Sequence, residues 1–287
     1  MVIYFSAIHI PYGKDTFSVS YNNYEYHQTV HSYPYDFISK GKSNTSTLTW
    51  NHLMSRNQNS KTSFDVSVKK RNSHQYINDL EIPVQQMHTT SLETGIAKQV
   101  YIGTDTWYMR LGHKMGIGWF GAMPENPYED GPKSRYHMWL FDVDYQHPFT
   151  MGHRPASYTA SFHGQWTTNG DRLYGVDDIS MGNRYTVRGF DGEITLMSES
   201  GWYWRNEVAS YIPDLHSSLY VGLDLGAVYG PSTEDLLGKF IAGMVIGLRG
   251  DVSSGLSYDI FAGIPVYKPP GYHTEKITSG FTCSWRF

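Results

Sequence analysis

Thirteen histidines are the residues in this chain whose chemistry most obviously calls for partners. A histidine serves as general base in acyl transfer when a nucleophile and an orienting carboxylate lie within hydrogen-bond reach. It serves as a metal ligand when two or three of its kind share one face at ligand spacing. His27, His31, His113, His137, His147, His153 and His163 are instead scattered, with no H-E-x-x-H pattern and no nucleophile elbow. His147 and His153, placed at strand ends, make no better case for a metal site. Cys283 is the single cysteine, which excludes an internal disulfide and a Cys-rich zinc site. A Walker-type phosphate loop is also missing. The side chains therefore predict no catalytic residues, no metal and no cofactor.

The elements that position these side chains repeat with a period of two. In 107–119, Trp107, Met109, Leu111, His113, Met115, Ile117 and Trp119 alternate with Tyr108, Arg110, Gly112, Lys114, Gly116 and Gly118. In 218–229, Leu219, Val221, Leu223, Leu225, Ala227 and Tyr229 alternate with Tyr220, Gly222, Asp224 and Gly226. Leu256, Tyr258, Ile260, Ala262 and Ile264 repeat the pattern against Ser257, Asp259 and Gly263, with Phe261 an exception. So do Trp139, Phe141, Val143 and Tyr145 against Asp142 and Asp144, and Tyr158, Ala160, Phe162 and Trp166 against Thr159, Ser161, His163 and Gln165. An acidic side chain turned into a dry sandwich core is costly, whereas a watery lumen accepts it.

Composition agrees with a membrane barrel. The 287 residues carry 23 Lys plus Arg against 27 Asp plus Glu, a net charge of -4, which argues against a nucleic-acid partner. Only 17% of residues are charged and 15% are aromatic, 23 of them Tyr. Mean hydropathy is -0.45, and no run reaches the roughly 18 apolar residues of a membrane helix. A transmembrane strand hides its apolar surface in alternate residues, so the average stays polar.

The pattern predicts an all-β, transmembrane antiparallel barrel of fourteen strands. They are expected near 2–11, 15–27, 29–38, 44–55, 60–72, 87–102, 105–120, 134–147, 154–167, 201–212, 217–230, 239–249, 252–264 and 276–287. Polar turns such as Arg56-Asn57-Gln58-Asn59 and Arg249-Gly250-Asp251 separate some of them. One long connection, 168–200, is unlike a turn, and nothing suggests a second domain. The glycines at 112, 116 and 118 are expected either to let that loop approach the wall or to follow strand twist. In the last strand Ile277, Phe281, Cys283, Trp285 and Phe287 share one face. Phe281, Trp285 and the final Phe287 are similar to the signal that outer-membrane proteins present to the barrel-assembly machinery.

Residues 182–193, Gly-Asn-Arg-Tyr-Thr-Val-Arg-Gly-Phe-Asp-Gly-Glu, resemble the signature of the two-partner secretion transporters. This is the haemolysin-activator and filamentous-haemagglutinin transporter family of Gram-negative outer membranes. Val187-Arg188-Gly189-Phe190 resembles the tip of that family's long lumenal loop, which here continues through Asp191 and Glu193. Gly201-Trp202-Tyr203-Trp204-Arg205-Asn206-Glu207 is similar to the strand after it. Arg56-Asn57-Gln58-Asn59-Ser60-Lys61, Tyr76-Ile77-Asn78-Asp79 and Gly118-Trp119-Phe120-Gly121-Ala122 match further family blocks in order.

The resemblance implies passage of an unfolded exoprotein, of haemolysin, adhesin or contact-dependent toxin type, across the outer membrane, with no enzymatic step. It implies a sixteen-stranded barrel preceded by a plug helix and two POTRA domains. Nine strands are expected before the loop and five after it, so residues 1–287 are expected to be a single C-terminal barrel domain without two N-terminal strands, the plug helix or the POTRA domains. That would make the chain a fragment or a truncated remnant. The expected partners are the exoprotein, the barrel-assembly machinery, periplasmic chaperones and the lipid bilayer, with the barrel itself a monomer. On the loop, Arg188 is expected to make a bidentate pair with an inward carboxylate. Strand alternation turns Asp224 inward, and its setting resembles the family strand that supplies this partner; Glu207 is a second candidate. Trp202 and Trp204 are expected in an interfacial aromatic belt rather than a binding platform. Two other readings remain. A passive porin would need a constriction ring and no plugging loop, and an insertase would share Val187–Phe190 but lack the Trp-rich block.

Overall fold

A computed structural model of the chain describes residues 2–30, 37–82, 85–253 and 255–285. Among the described residues are sixteen strands, fourteen of them in the main sheet, and the chain divides into two compact units.

The first unit comprises Met1–Arg56, Lys61–Ala97 and Gly112–Met138. Here β1 (Val2–Tyr12), β2 (Asp15–Val30), β3 (Phe37–Arg56), β4 (Ser60–Ile77) and the part of β6 (Met87–Ile102) up to Ala97 lie side by side in that order, followed by the part of β7 (Asp105–Ile117) from Gly112. The short β5 (Leu80–Glu81) folds back on β4. Asn78 and Asp79, at φ 48° and 66°, make that two-residue turn, where both positions need the left-handed region.

The second unit comprises Asn57–Ser60, Lys98–Leu111 and Trp139–Phe287. Its strands β8 (His137–Met151), β9 (Arg154–Thr167), β12 (Ser200–Ile212), β13 (Ser217–Tyr229), β14 (Phe240–Ser253), β15 (Leu256–Tyr267) and β16 (Thr278–Trp285) are neighbours in that order. Between β9 and β12, strands β10 (Ile179–Met181) and β11 (Leu196–Ser198) form a separate hairpin. The Asn57 side chain closes the expected turn at 56–59 by accepting the N–H groups of Asn59 and Ser60 at 2.9 and 2.7 Å.

Burial along these strands is the inverse of a soluble protein's. Leu223 is 43% exposed while its neighbour Asp224 is 0% exposed. Leu219 and Val221 are likewise exposed and Tyr220 buried. Apolar side chains turned outward along 13-residue strands suit lipid, since about 9–11 tilted residues cross a bilayer.

The division of the strands differs from the sequence reading in three places. The strand expected at 29–38 is not one element: its described ends belong to β2 and β3, and 31–36, with His31, lie outside the described residues. The fourteenth strand of the sheet is the two-residue β5 instead. Arg249-Gly250-Asp251 is not a turn but lies within β14, paired with Asp259, Tyr258 and Ser257. The turn comes after Ser253, where Gly255 takes φ 96°. At Gly116 and Gly118 side chains would meet Ser134 and Arg135.

Candidate loop-anchoring site

The connection from Thr167 to Ser200 turns inward because its own apolar residues have a core to join. Ile179, Met181 and Leu196 of the hairpin, with Val187 and Phe190, pack against Val228 of β13, Ile241 of β14 and Tyr272. Phe190 meets Tyr272 edge to face at 5.9 Å. At the turn 183–186 the Asn183 side chain accepts the N–H of Tyr185 at 2.9 Å, and the Asn183 carbonyl accepts that of Thr186 at 3.2 Å.

Arg188 then enters a buried cluster of charge. Its Nε donates to Asp224 Oδ2 at 2.6 Å and its Nη2 to Asp224 Oδ1 at 2.9 Å, a two-point pair. Its backbone N–H donates to the same Oδ2 at 3.0 Å, and its Nη1 to Glu207 Oε2 at 2.7 Å. Thus Asp224 and Glu207 both bind the loop arginine. Burial works against the guanidinium's charge, but the hydrogen bonds and charges of Asp224 and Glu207 outweigh it and raise its pKa above an arginine's ordinary value.

Sequence reasoning missed two further members. Arg205 Nε lies 3.9 Å from Asp224 Oδ2, and Arg249 Nη2 pairs with Glu207 Oε1. The signal was available for Arg205, which shares the inward face of β12 with Glu207. It was hidden for Arg249 by reading 249–251 as a turn.

The wall is cut to receive the loop. Gly189 takes φ 97°, and a side chain there would overlap the carbonyl of Ile264. A methyl group on Gly243 of β14 would overlap the carbonyl oxygen of Arg188, and side chains on Gly222, Gly226 and Gly263 would also strike the loop. Asp191 accepts the N–H of Glu275 at 2.7 Å and of Glu193 at 3.0 Å, which holds its carboxyl below the usual range against the opposing effect of burial. The Glu193 side chain itself is exposed.

At the loop's base, Gln165 of β9 donates to the carbonyls of Asp177 and Glu199 at 2.8 and 2.9 Å. Buried Glu199 accepts from Ser198 and Ser232, bonds that hold its pKa down against burial. Asp178 beside it has a buried Oδ1 with no partner among the described residues. Burial first, then the charges of Glu199 and Asp177, push its pKa up to about 7.

Elsewhere, Phe281 and Trp285 are exposed on β16, as is Cys283, while Phe287 lies outside the described residues. Trp204 is exposed and Trp202 stacks on Phe162 at 6.1 Å, with Trp139 and Trp166 in the same aromatic patch. Some histidines pair singly with carboxylates: His163 Nδ1 lies 2.6 Å from Asp142, and His147 Nδ1 2.6 Å from Asp105. Among the described residues no three His, Cys, Asp or Glu side chains gather as a metal site.

An arginine on an inturned loop, bound by carboxylates of two wall strands, is a device for holding that loop. The family model of the haemolysin secretion/activation protein ShlB/FhaC/HecB matches residues 4–250. The chain belongs to this family. It is a family of secretion transporters rather than of enzymes, and it places the chain in the outer membrane of a Gram-negative bacterium. A curated relative, the outer membrane transporter CdiB-2 of Burkholderia pseudomallei (strain 1026b), is 35% identical over 282 residues, 97% of this chain and 48% of that protein. The solved structure of CdiB from Acinetobacter baumannii superposes with a TM-score of 0.86 at 27% identity, covering 99% of this chain and 50% of that one. CdiB from Escherichia coli gives 0.89 at 23% identity, covering 99% and 52%, a likeness of fold. The family's fold is the antiparallel outer-membrane β-barrel, and the chain spans about half the length of these relatives.

Proposed function

We propose that this chain forms the barrel wall and the lumenal loop of a two-partner secretion transporter. On this reading residues 1–287 act as one barrel domain, inserted as a monomer by the barrel-assembly machinery with the help of periplasmic chaperones. The cargo is an unfolded exoprotein, and kinship with the CdiB transporters favours the contact-dependent toxin type. Folding of the cargo outside the cell supplies the drive, and the barrel is a conduit, not an enzyme. The secretion-family match favours this over an insertase, and the seated loop favours it over an open porin.

The observation that carries the reading is the bidentate Arg188–Asp224 pair. It fixes the tip of an inturned loop by a buried ion pair, so an exchange of partners there can loosen the tip. The test is secretion of the cognate exoprotein by the full-length transporter. Replacing its barrel half by that of an unrelated porin should abolish secretion while leaving the outer membrane populated. Secretion that persists with the foreign barrel would refute the assignment.

A further inference from the structure

The loop enters the second unit at the ends of its strands marked by Thr167 and Ser200 and reaches Asp224 and Glu207 with Arg188. At the opposite ends of β12, β13, β14 and β15, a cavity of about 410 Å³ opens among His216, Arg249, Asp251, Tyr258, Asp259 and Thr282. That volume is in the range of ligand sites, about 300–1,000 Å³. Short hydroxyls complete its lining at Ser218, Ser257 and Ser284, groups that can both donate to and accept from a peptide backbone.

The charges in this cavity are not equally available. Asp259 Oδ1 already accepts from Tyr220 OH at 2.7 Å. Arg249 gives one Nη2 N–H to Glu207, and its guanidinium sits over the Tyr220 ring at 4.5 Å. A guanidinium has five N–H donors in a planar fork, and this side chain is 41% exposed toward the cavity. A second guanidinium reaches the same wall, where Arg184 of the loop donates to Thr282 Oγ1 at 2.6 Å. Asp251 is exposed at the cavity's edge. An incoming carboxylate therefore finds a preset, ring-stacked arginine with unused donors, against the opposing charges of Asp259, bonded through Oδ1 to Tyr220, and of Asp251 at the edge.

We propose that this cavity binds a carboxylate-bearing segment of an extended polypeptide, with Arg249 as the receptor for an Asp or Glu side chain. The segment is the exoprotein chain on its way to the loop, so this inference rests on the proposed function. Arg249 and Arg188 bind the two oxygens of the same Glu207 carboxylate, which places the receptor one side chain away from the loop anchor.

The probe is a fluorescein-labelled Gly/Ser octapeptide containing two Glu, with Gln and Lys counterparts, titrated by fluorescence anisotropy onto the full-length transporter in detergent. The Glu peptide is expected to bind about tenfold more tightly than either counterpart, the worth of one well-formed charge pair. Arg249→Gln should erase that preference, and Arg249→Lys should keep part of it. Asp251→Asn, which removes a repelling charge from an exposed position, should strengthen Glu-peptide binding severalfold. Retained heat-modifiable migration of each variant shows that it is folded. Equal binding of Glu and Gln peptides to the unsubstituted protein would overturn the proposal, as would a Glu preference surviving in folded Arg249→Gln. Loss of this preference in an otherwise secreting transporter would leave the loop-anchor reading standing. A Glu preference in a transporter that needs neither Arg188 nor Asp224 would do the reverse.

Discussion

Asp224 binds Arg188 three times: twice through the guanidinium, at 2.6 and 2.9 Å, and once through the backbone N–H, at 3.0 Å. The aspartate is wholly buried on the lumen side of β13 between two outward leucines. Such a carboxylate is costly without a partner, so the loop stabilises the wall as much as the wall holds the loop.

Arg188→Lys separates charge from shape. Lysine keeps the positive charge but has no planar fork, so it cannot reproduce both guanidinium contacts to Asp224 and the bond to Glu207. The variant should lose about 1.5–3 kcal/mol of loop protection, the worth of one charge-assisted bond. Hydrogen exchange of the 186–191 amides measures this, and protection equal to that of the unsubstituted protein would remove the fork geometry from the account.

Gly243→Ala tests the fit of the loop against β14. The added methyl would overlap the Arg188 carbonyl oxygen, which is backbone and cannot swing aside. The barrel should still show heat-modifiable migration, while external protease should nick residues 168–200 faster. Unaltered resistance to protease would mean that the loop does not sit where Gly243 leaves room.

The hold at the loop's base should weaken with rising pH. The Asp178 pKa is raised to about 7 in the fold from an ordinary value of 3.8. Its protonated form is the one that the fold favours. The associated stability is therefore fully present below pH 3.8 and is lost as pH rises through about 7. Protease nicking of the loop should be slower at pH 6 than at pH 8, and Asp178→Asn should flatten that difference. An equally steep profile in the variant would place the titrating group elsewhere.

The sequence made the strands legible because two-residue alternation is imposed by lipid on one face and water on the other. Asp224 could be named because alternation turns it inward and its setting resembles the family strand, and Arg188 because Val187–Phe190 resembles the family's loop tip. Residues that act through the loop's path were harder to see. Arg249 was concealed because Arg-Gly-Asp has a turn's composition, whereas Gly250 is there because a side chain would strike Ser217 and the His216 carbonyl. The hairpin of Ile179–Met181 and Leu196–Ser198 is too short to show a period. The receiving glycines 222, 226, 243 and 263 could not be told from 112, 116 and 118, because which wall a loop leans on is decided by tertiary packing.

The central claim is that Arg188 and Asp224 act as one unit in transport. Its most direct test is a double-mutant cycle on exoprotein secretion, with Arg188→Ala, Asp224→Ala and the double variant compared at equal surface abundance. Each single substitution should reduce secretion by about tenfold or more, and the double should be no worse than either single, as for residues that share one interaction. Secretion at the unsubstituted level in both singles, or losses that simply add in the double, would contradict the account.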